Sequence, residues 1–187
     1  MLKIKSKILS TLLILSTVSI IFISCKSDDD NDDITTSKTL TNENLAGNWI
    51  VKNYNNTQVV NTTDNSNGQT TTESSETLGH NFSLTYDFSS SSNTVLSSGF
   101  YTASTSLENG TTVESDLNEI TGIKSNSNWN VSNNIISLTN PDFIQNLTVI
   151  SFIGNKLELE FIYSYNLDDS LYNHEYTFNS SLVLEKL

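Results

Sequence analysis

Apolar and polar residues alternate with a period of two along most of the chain after residue 43. Phe82-Ser83-Leu84-Thr85-Tyr86-Asp87-Phe88 sets four apolar residues on one face and three polar residues on the other. Leu157 to Tyr165 does the same for nine residues, and Tyr176, Phe178, Ser180, Leu182 and Leu184 share a face near the end. Trp49 to Tyr54 sets Trp49 and Val51 against Lys52. Successive side chains of a strand point to opposite faces, so alternation of this length predicts half-buried β-strands.

Turn signals separate these runs: Ser89 to Asn93, Asn109-Gly110, Asn133-Asn134, Asn140-Pro141-Asp142, Gly154-Asn155 and Asp168-Asp169. Asn-Gly and Gly-Asn favour tight hairpins because they tolerate positive φ. Residues 95–105 are therefore expected to pair with 111–121, and 146–153 with 156–165. Residues 126–139 read as a short hairpin turning at Asn133-Asn134. A helix is expected only near Asn42–Leu45, capped by Thr41 or Asn42. Residues 55–77 are almost entirely Asn, Thr, Ser, Gln and Glu, and read either as a long mobile loop or as two flat, solvent-facing strands. The expectation is an all-β chain: an antiparallel up-and-down meander of about eight to ten strands that closes into a barrel and so removes its exposed edges.

The amino terminus has another pattern. Lys3, Lys5 and Lys7 precede an uncharged apolar run from Ile8 to Ile23. A basic start, an apolar core and a small residue before a cut describe a secretory signal, whose basic end stays in the cytoplasm. The run is short for a spanning helix, which needs about 20 residues. Phe22-Ile23-Ser24-Cys25 resembles the lipobox of bacterial lipoproteins. That resemblance implies removal of residues 1–24 and lipid attachment at Cys25, the chain's single cysteine. Each buried CH₂ of the acyl chains would contribute about 0.8 kcal/mol of anchoring.

Five Asp among residues 28–33 make a solvated, self-repelling tether. Cys25 followed by Lys26, Ser27, Asp28, Asp29 and Asp30 also resembles the surface-export signal of Bacteroidetes-type lipoproteins, which implies the outer face of the outer membrane. The organisation expected is a signal peptide at 1–24, an acidic flexible tether at 25–42 and a β-barrel domain at 43–187.

Charge narrows the partners. Without residues 1–24 the chain holds six Lys, no Arg and 21 acids, a net charge of −15. Such a surface repels nucleic acid and anionic headgroups. One cysteine excludes an intrachain disulfide, so stability rests on the apolar core. Abundant Asn, Ser and Thr favour turns and strands over helices.

Leu45-Ala46-Gly47-Asn48-Trp49 opens the barrel region. A Leu-x-Gly-x-Trp entering the first strand of a β-meander resembles the lipocalins and the lipocalin-like domains of Bacteroidetes lipoproteins. The resemblance extends by layout over residues 43–187, through Trp129, Asn134-Ile135-Ile136-Ser137-Leu138 and the final Leu184-Glu185-Lys186-Leu187. It implies a lipocalin-like barrel with Leu45, Gly47 and Trp49 structural at its entry and Trp49 plugging the closed end. Lipocalins place an Arg of the last strand against that Trp; here Lys186 is the only late cation.

Catalytic chemistry is sparse. His80 and His174 stand in unrelated segments, and His174-Glu175 would face opposite ways on a strand. No Gly-rich phosphate loop or Gly-x-Ser-x-Gly is present. Glu158 and Glu160 share one strand face, which an outward polar surface explains more simply than paired carboxylate catalysis. The expectation is a non-enzymatic protein with no cofactor and no metal. It is held to the outer membrane by its N-terminal lipid and exposed at the cell surface. One reading has the barrel bind a small apolar or amphipathic ligand, with Phe82, Tyr86, Phe161 and Tyr163 as candidate lining residues. The other has a solid-core barrel that serves as a surface interaction or accessory protein with a protein partner. Fold alone does not choose between them.

Overall fold

The computed structural model describes residues 38–187. One short helix, α1 (Asn42–Leu45), precedes eleven strands: β1 (Gly47–Asp64), β2 (Thr70–His80), β3 (Thr85–Ser89), β4 (Thr94–Ser98), β5 (Tyr101–Leu107), β6 (Thr112–Leu117), β7 (Ser127–Ser132), β8 (Ile135–Asn140), β9 (Phe143–Ile153), β10 (Lys156–Asp168) and β11 (Tyr172–Lys186). All pairings are antiparallel, and β11 pairs with β1 to close the ring. The fold is the all-β, antiparallel closed barrel expected from the alternation, and it is consistent with the lipocalin-like barrel that the Leu-x-Gly-x-Trp resemblance implied.

Eight strands close the barrel: β1, β3, β4, β7, β8, β9, β10 and β11. The other three extend it. The lower part of β1 pairs with β3 (Gly47↔Phe88 to Ile50↔Thr85), whereas its upper part pairs with β2 (Asn55↔Leu78 to Thr63↔Thr70). Likewise β4 pairs with β3, while β5, which follows it, pairs with β2 and β6. Thus β2 with β3, and β4 with β5, are each one long stave broken at a crease. Asn81 (φ 53°) and Gly99 (φ 90°) take left-handed backbone there, and Ser83 N and Oγ donate to Phe100 O across the two creases at 2.9 and 3.0 Å.

Beyond the creases the wall continues on one side only, as a splayed sheet in the order β6-β5-β2-β1-β11-β10. β9 accompanies β10 only as far as Glu160↔Thr148, so β10 from Phe161 onward pairs with β11 alone among the described residues. Where β9 departs, the buried Gln145 amide donates to Ile162 O at 3.0 Å. A side chain thus satisfies a backbone acceptor that the ladder has released.

The core lies within the closed ring. Trp49, Val51, Leu84, Tyr86, Phe88, Val95, Ile136, Leu138, Leu147 and Leu157 are all buried. Leu40 is also buried, and Lys38 N donates to Phe152 O at 2.8 Å, so packing begins within the stretch read as tether. Thr41 caps α1: its hydroxyl accepts from Asn44 N, and its own N–H donates to the Asn44 side chain. This reciprocal arrangement satisfies two donors a short helix would otherwise leave open.

Several sequence expectations meet refinements. The Asn133-Asn134 hairpin forms, with φ of 51° and 60°. Residues 55–64 and 70–77 are strands joined by a turn at 65–69, and they run long because each is paired along its length. Residues 101–106 pair with 112–117 as expected, but 95–98 turn back to β3 and β7 across the crease at Gly99. β6 ends at Leu117, and 118–126 form no strand.

Candidate functional site

The segment 118–126 fills the upper mouth of the closed ring. Ile120 and Ile123 are buried there, and Ile120 N donates to the Tyr86 hydroxyl at 3.2 Å. The Tyr54 hydroxyl reaches Thr121 and Ser180. Gly122 (φ 91°) lies so close to the wall that a Cβ there would meet Phe161 Cε2 at 3.0 Å and Tyr163 Cβ at 3.2 Å. The lower mouth is filled by α1, Leu40 and Trp49, whose Nε1 donates to Leu45 O at 2.7 Å. The ring is therefore closed by side chains at both ends.

Above this plug the inner wall continues without a cover. Tyr163, Tyr165 and Leu167 of β10 stand opposite Phe178, Tyr176 and His174 of β11. The Tyr165 and Tyr176 rings stack at 4.7 Å, and Tyr165 stacks on Phe178 at 5.9 Å. Tyr172 and His174 continue the array. Such cross-strand aromatic pairs add about 0.5–1.5 kcal/mol each beyond their area. Tyr172 is 40% exposed and Leu167 53%, and Tyr163, Tyr165 and Tyr176 are half-buried. Burial, followed by the neighbouring Tyr176, pushes the Tyr165 phenol above its ordinary range. His174 Nδ1 lies 3.0 Å from Thr62 Oγ1.

Charge is divided along the molecule. The splayed portion (residues 55–80, 101–117 and 161–180) holds Asp64, Glu73, Glu76, Glu108, Glu114, Asp116, Asp168, Asp169 and Glu175, and no Lys. Lys38, Lys52, Lys156 and Lys186 all lie at the closed end. Lys124 stands at the plug, its Nζ 5.4 Å from the Phe143 ring centre.

Two of the depressions among the described residues lie elsewhere. One, of about 580 Å³, is on the outer surface across β1, β11, β10 and β9, lined by Asn55, Thr57, Asn146, Thr148, Glu160 and Asn179 among others. The second, of about 290 Å³, lies at the β5–β6 turn beside Glu73, Leu107 and Glu108. Among the described residues no three His, Cys, Asp or Glu side chains gather closely enough to hold a metal ion.

The candidate residues fall in different places. Cys25, Lys26, Ser27, Asp28, Asp29 and Asp30 lie outside the described residues. Leu45 and Trp49 are buried at the closed end, and Gly47 (φ 120°) leaves room for the Lys186 side chain, 3.2 Å from where a Cβ would be. Lys186 Nζ in turn sits 5.4 Å from the Trp49 ring centre. Tyr86 is fully buried beneath the plug, and burial drives its phenol far above the ordinary range. Phe82 stacks on Tyr101 at 5.9 Å at the crease. Phe161 is buried against the plug, and Tyr163, two residues on, faces the open wall. The four lining candidates do not share one space. Glu158 is held below the usual carboxylate range, chiefly by Lys156 Nζ at 2.7 Å, and Glu160 faces the outer depression. The plug and the free stretch of β10 were not foreseen; Ile120 and Ile123 flanking Gly122, out of step with the strand alternation, are the signal for the plug.

Comparison of the chain with protein-family models, with curated protein sequences and with solved structures found no match.

Proposed function

We propose that the protein is a lipid-anchored surface lipoprotein in which the closed barrel is a solid scaffold and the splayed sheet is a non-enzymatic binding face. The observation that carries this reading is the contrast between the two halves. The ring is filled by buried side chains from α1 to the plug, whereas the aromatic wall beyond it stays half-exposed. Exposed aromatic patches on small domains mark interaction sites. The signal pattern, Cys25 and the acids after it supply the anchor and its place on the outer face of the outer membrane. The chain enters the described domain at the closed end, beside Phe152. β1 then runs 18 residues away from that end, and the aromatic wall lies beside its Gln58 to Asp64, so an anchored molecule presents that wall about 35–55 Å along the strand at a rise of roughly 3.3 Å per residue.

Two measurements test this. Cys25→Ala should abolish lipidation and release the protein from the outer membrane; a variant of unchanged mass still in that membrane refutes the anchor. Native mass spectrometry of protein purified from its host should show a co-purifying protein. A stoichiometric small molecule, lost in Tyr165→Ala, would favour the second reading, an amphipathic ligand lying on the stacked Tyr165 and Tyr176 rings. Neither binding mode calls for nucleic acid or a cofactor.

A further inference from the structure

We propose that the free edge of β10, together with the tyrosines beside it, binds an extended cationic segment of a partner protein by strand addition. The inference rests on the binding-face reading and names its occupant. In an antiparallel ladder the N–H and C=O of one residue point to the same side, and residues alternate. Ile162 O points away from β11, toward Gln145. The N–H and C=O groups of Ser164, Asn166 and Asp168 therefore point the same way, and no strand pairs with them among the described residues. Natural edges are usually blunted with Pro, Lys or a bulge. Residues 161–168 contain no Pro and no Lys, and their register with β11 runs without a shift. This edge is a ready template for another strand.

The surroundings select the occupant. Phe143 of β9 packs against Tyr163 at 6.1 Å, so a strand added from Ser164 outward would lay alternate side chains along Tyr165, and an aromatic ring attracts ammonium and guanidinium groups. Its other side chains would meet Ile162, which is 64% exposed, on the outer face. The splayed portion carries nine acids and no Lys, so its field draws a cationic chain in and repels an acidic one. The same charge disfavours a second copy of this chain. Strand addition supplies affinity through the backbone, and charge and aromatic contact supply selectivity.

The test uses the full chain in detergent and two labelled peptides of about ten residues, one alternating Arg with Val and one alternating Glu with Val. Fluorescence anisotropy should show binding of the Arg peptide only, weakening by about tenfold or more between low and high salt as exposed charges are screened. Methylating alternate backbone nitrogens of the Arg peptide keeps its charge but removes its pairing edge, and should weaken binding by about tenfold or more. Asn166→Pro should do the same from the protein side. Its N–H makes no ladder bond, and Pro is tolerated on edge strands, so an unchanged circular dichroism spectrum should accompany the loss. Tyr165→Ala should weaken the Arg peptide without conferring binding on the Glu peptide. Equal binding of the methylated peptide, equal binding of both charges, or no binding of either overturns the inference. So does self-association of the chain that Asn166→Pro abolishes. A protein partner or small molecule found by native mass spectrometry, with both peptides inert, would overturn the inference and leave the binding-face reading standing.

Discussion

Lys186 Nζ lies 5.4 Å from the centre of the Trp49 ring and donates to Asn44 O at 2.8 Å. One cation thus joins the last strand, the first strand and the final turn of α1. A positive charge is favourable at a helix C-terminus and over an indole face.

Lys186→Met keeps the aliphatic stem and removes the charge. It should cost about 1–2 kcal/mol, read as a lower urea midpoint with an unchanged slope, and Lys186→Arg should restore part of the loss. If Lys186→Met is neutral, the closed end does not depend on this cation.

The two tryptophans should respond differently to the same truncation. Trp49 Nε1 is hydrogen-bonded to Leu45 O, whereas Trp129 Nε1 is buried and has no hydrogen-bond partner among the described residues, its ring edge-on to Phe88 at 5.8 Å. Trp129→Phe removes an unsatisfied donor along with some volume, and Trp49→Phe strands an acceptor as well. Trp49→Phe should therefore be the more destabilising, by about 1–2 kcal/mol. Paired chemical denaturation curves decide this, and the reverse order would refute it.

The crease between β4 and β5 rests on one glycine. At Gly99 a Cβ would collide with Ser83 O, and the backbone is left-handed. Gly99→Ala should cost about 2 kcal/mol or more. Gly154→Ala, also at positive φ (61°) but in open space, should cost about 1 kcal/mol. Equal effects on the thermal midpoint would mean that the clash at the crease relaxes.

Stability should fall at alkaline pH. Burial raises the phenol pKa values of Tyr54, Tyr86 and Tyr101. Below the unfolded value of about 10, folded and unfolded chains both keep these protons, and the contribution is fully present. Above it the unfolded chain ionises while the folded one resists, so rising pH favours unfolding. The denaturation midpoint should stay level across neutral pH as far as these phenols govern it, then drop above about pH 10. Absorbance titration should show a late group of phenols that ionise as the fold is lost, and Tyr86→Phe should make the drop shallower. A midpoint level through pH 11 would refute this.

The barrel was legible where a strand's own residues dictate a face. Leu157, Leu159 and Phe161, then Leu184, Leu182 and Phe178, point inward as their alternation requires. The polar strands of 55–77 were legible only as alternatives, because they are held by pairing with each other, with β11 and with β5 rather than by apolar burial of their own. The creases escaped because Asn81 and Gly99 sit inside alternating runs that keep their inward faces across the break. The aromatic residues of β10 were legible as one face, but not that the plug divides them. Phe161 below it is sealed, and Tyr163 and Tyr165 above it are open, and nothing within Phe161–Tyr165 differs to mark the boundary. That boundary is set by a segment about 40 residues earlier in the chain.

β1 and β11 keep fifteen residue pairs in register from Trp49↔Lys186 to Asp64↔Tyr172, with a single shift near Lys52, and β10 runs beside them without a break. A pull between Lys38 at the closed end and the turn at Asp169 is therefore directed along the strands. It loads many ladder hydrogen bonds together in shear, where a pull across the strands would peel them one at a time. The staves creased at Asn81 and Gly99 lie outside that line of force. The molecule is accordingly built as a stiff strut along β1, β10 and β11, with its softer joints set to the side.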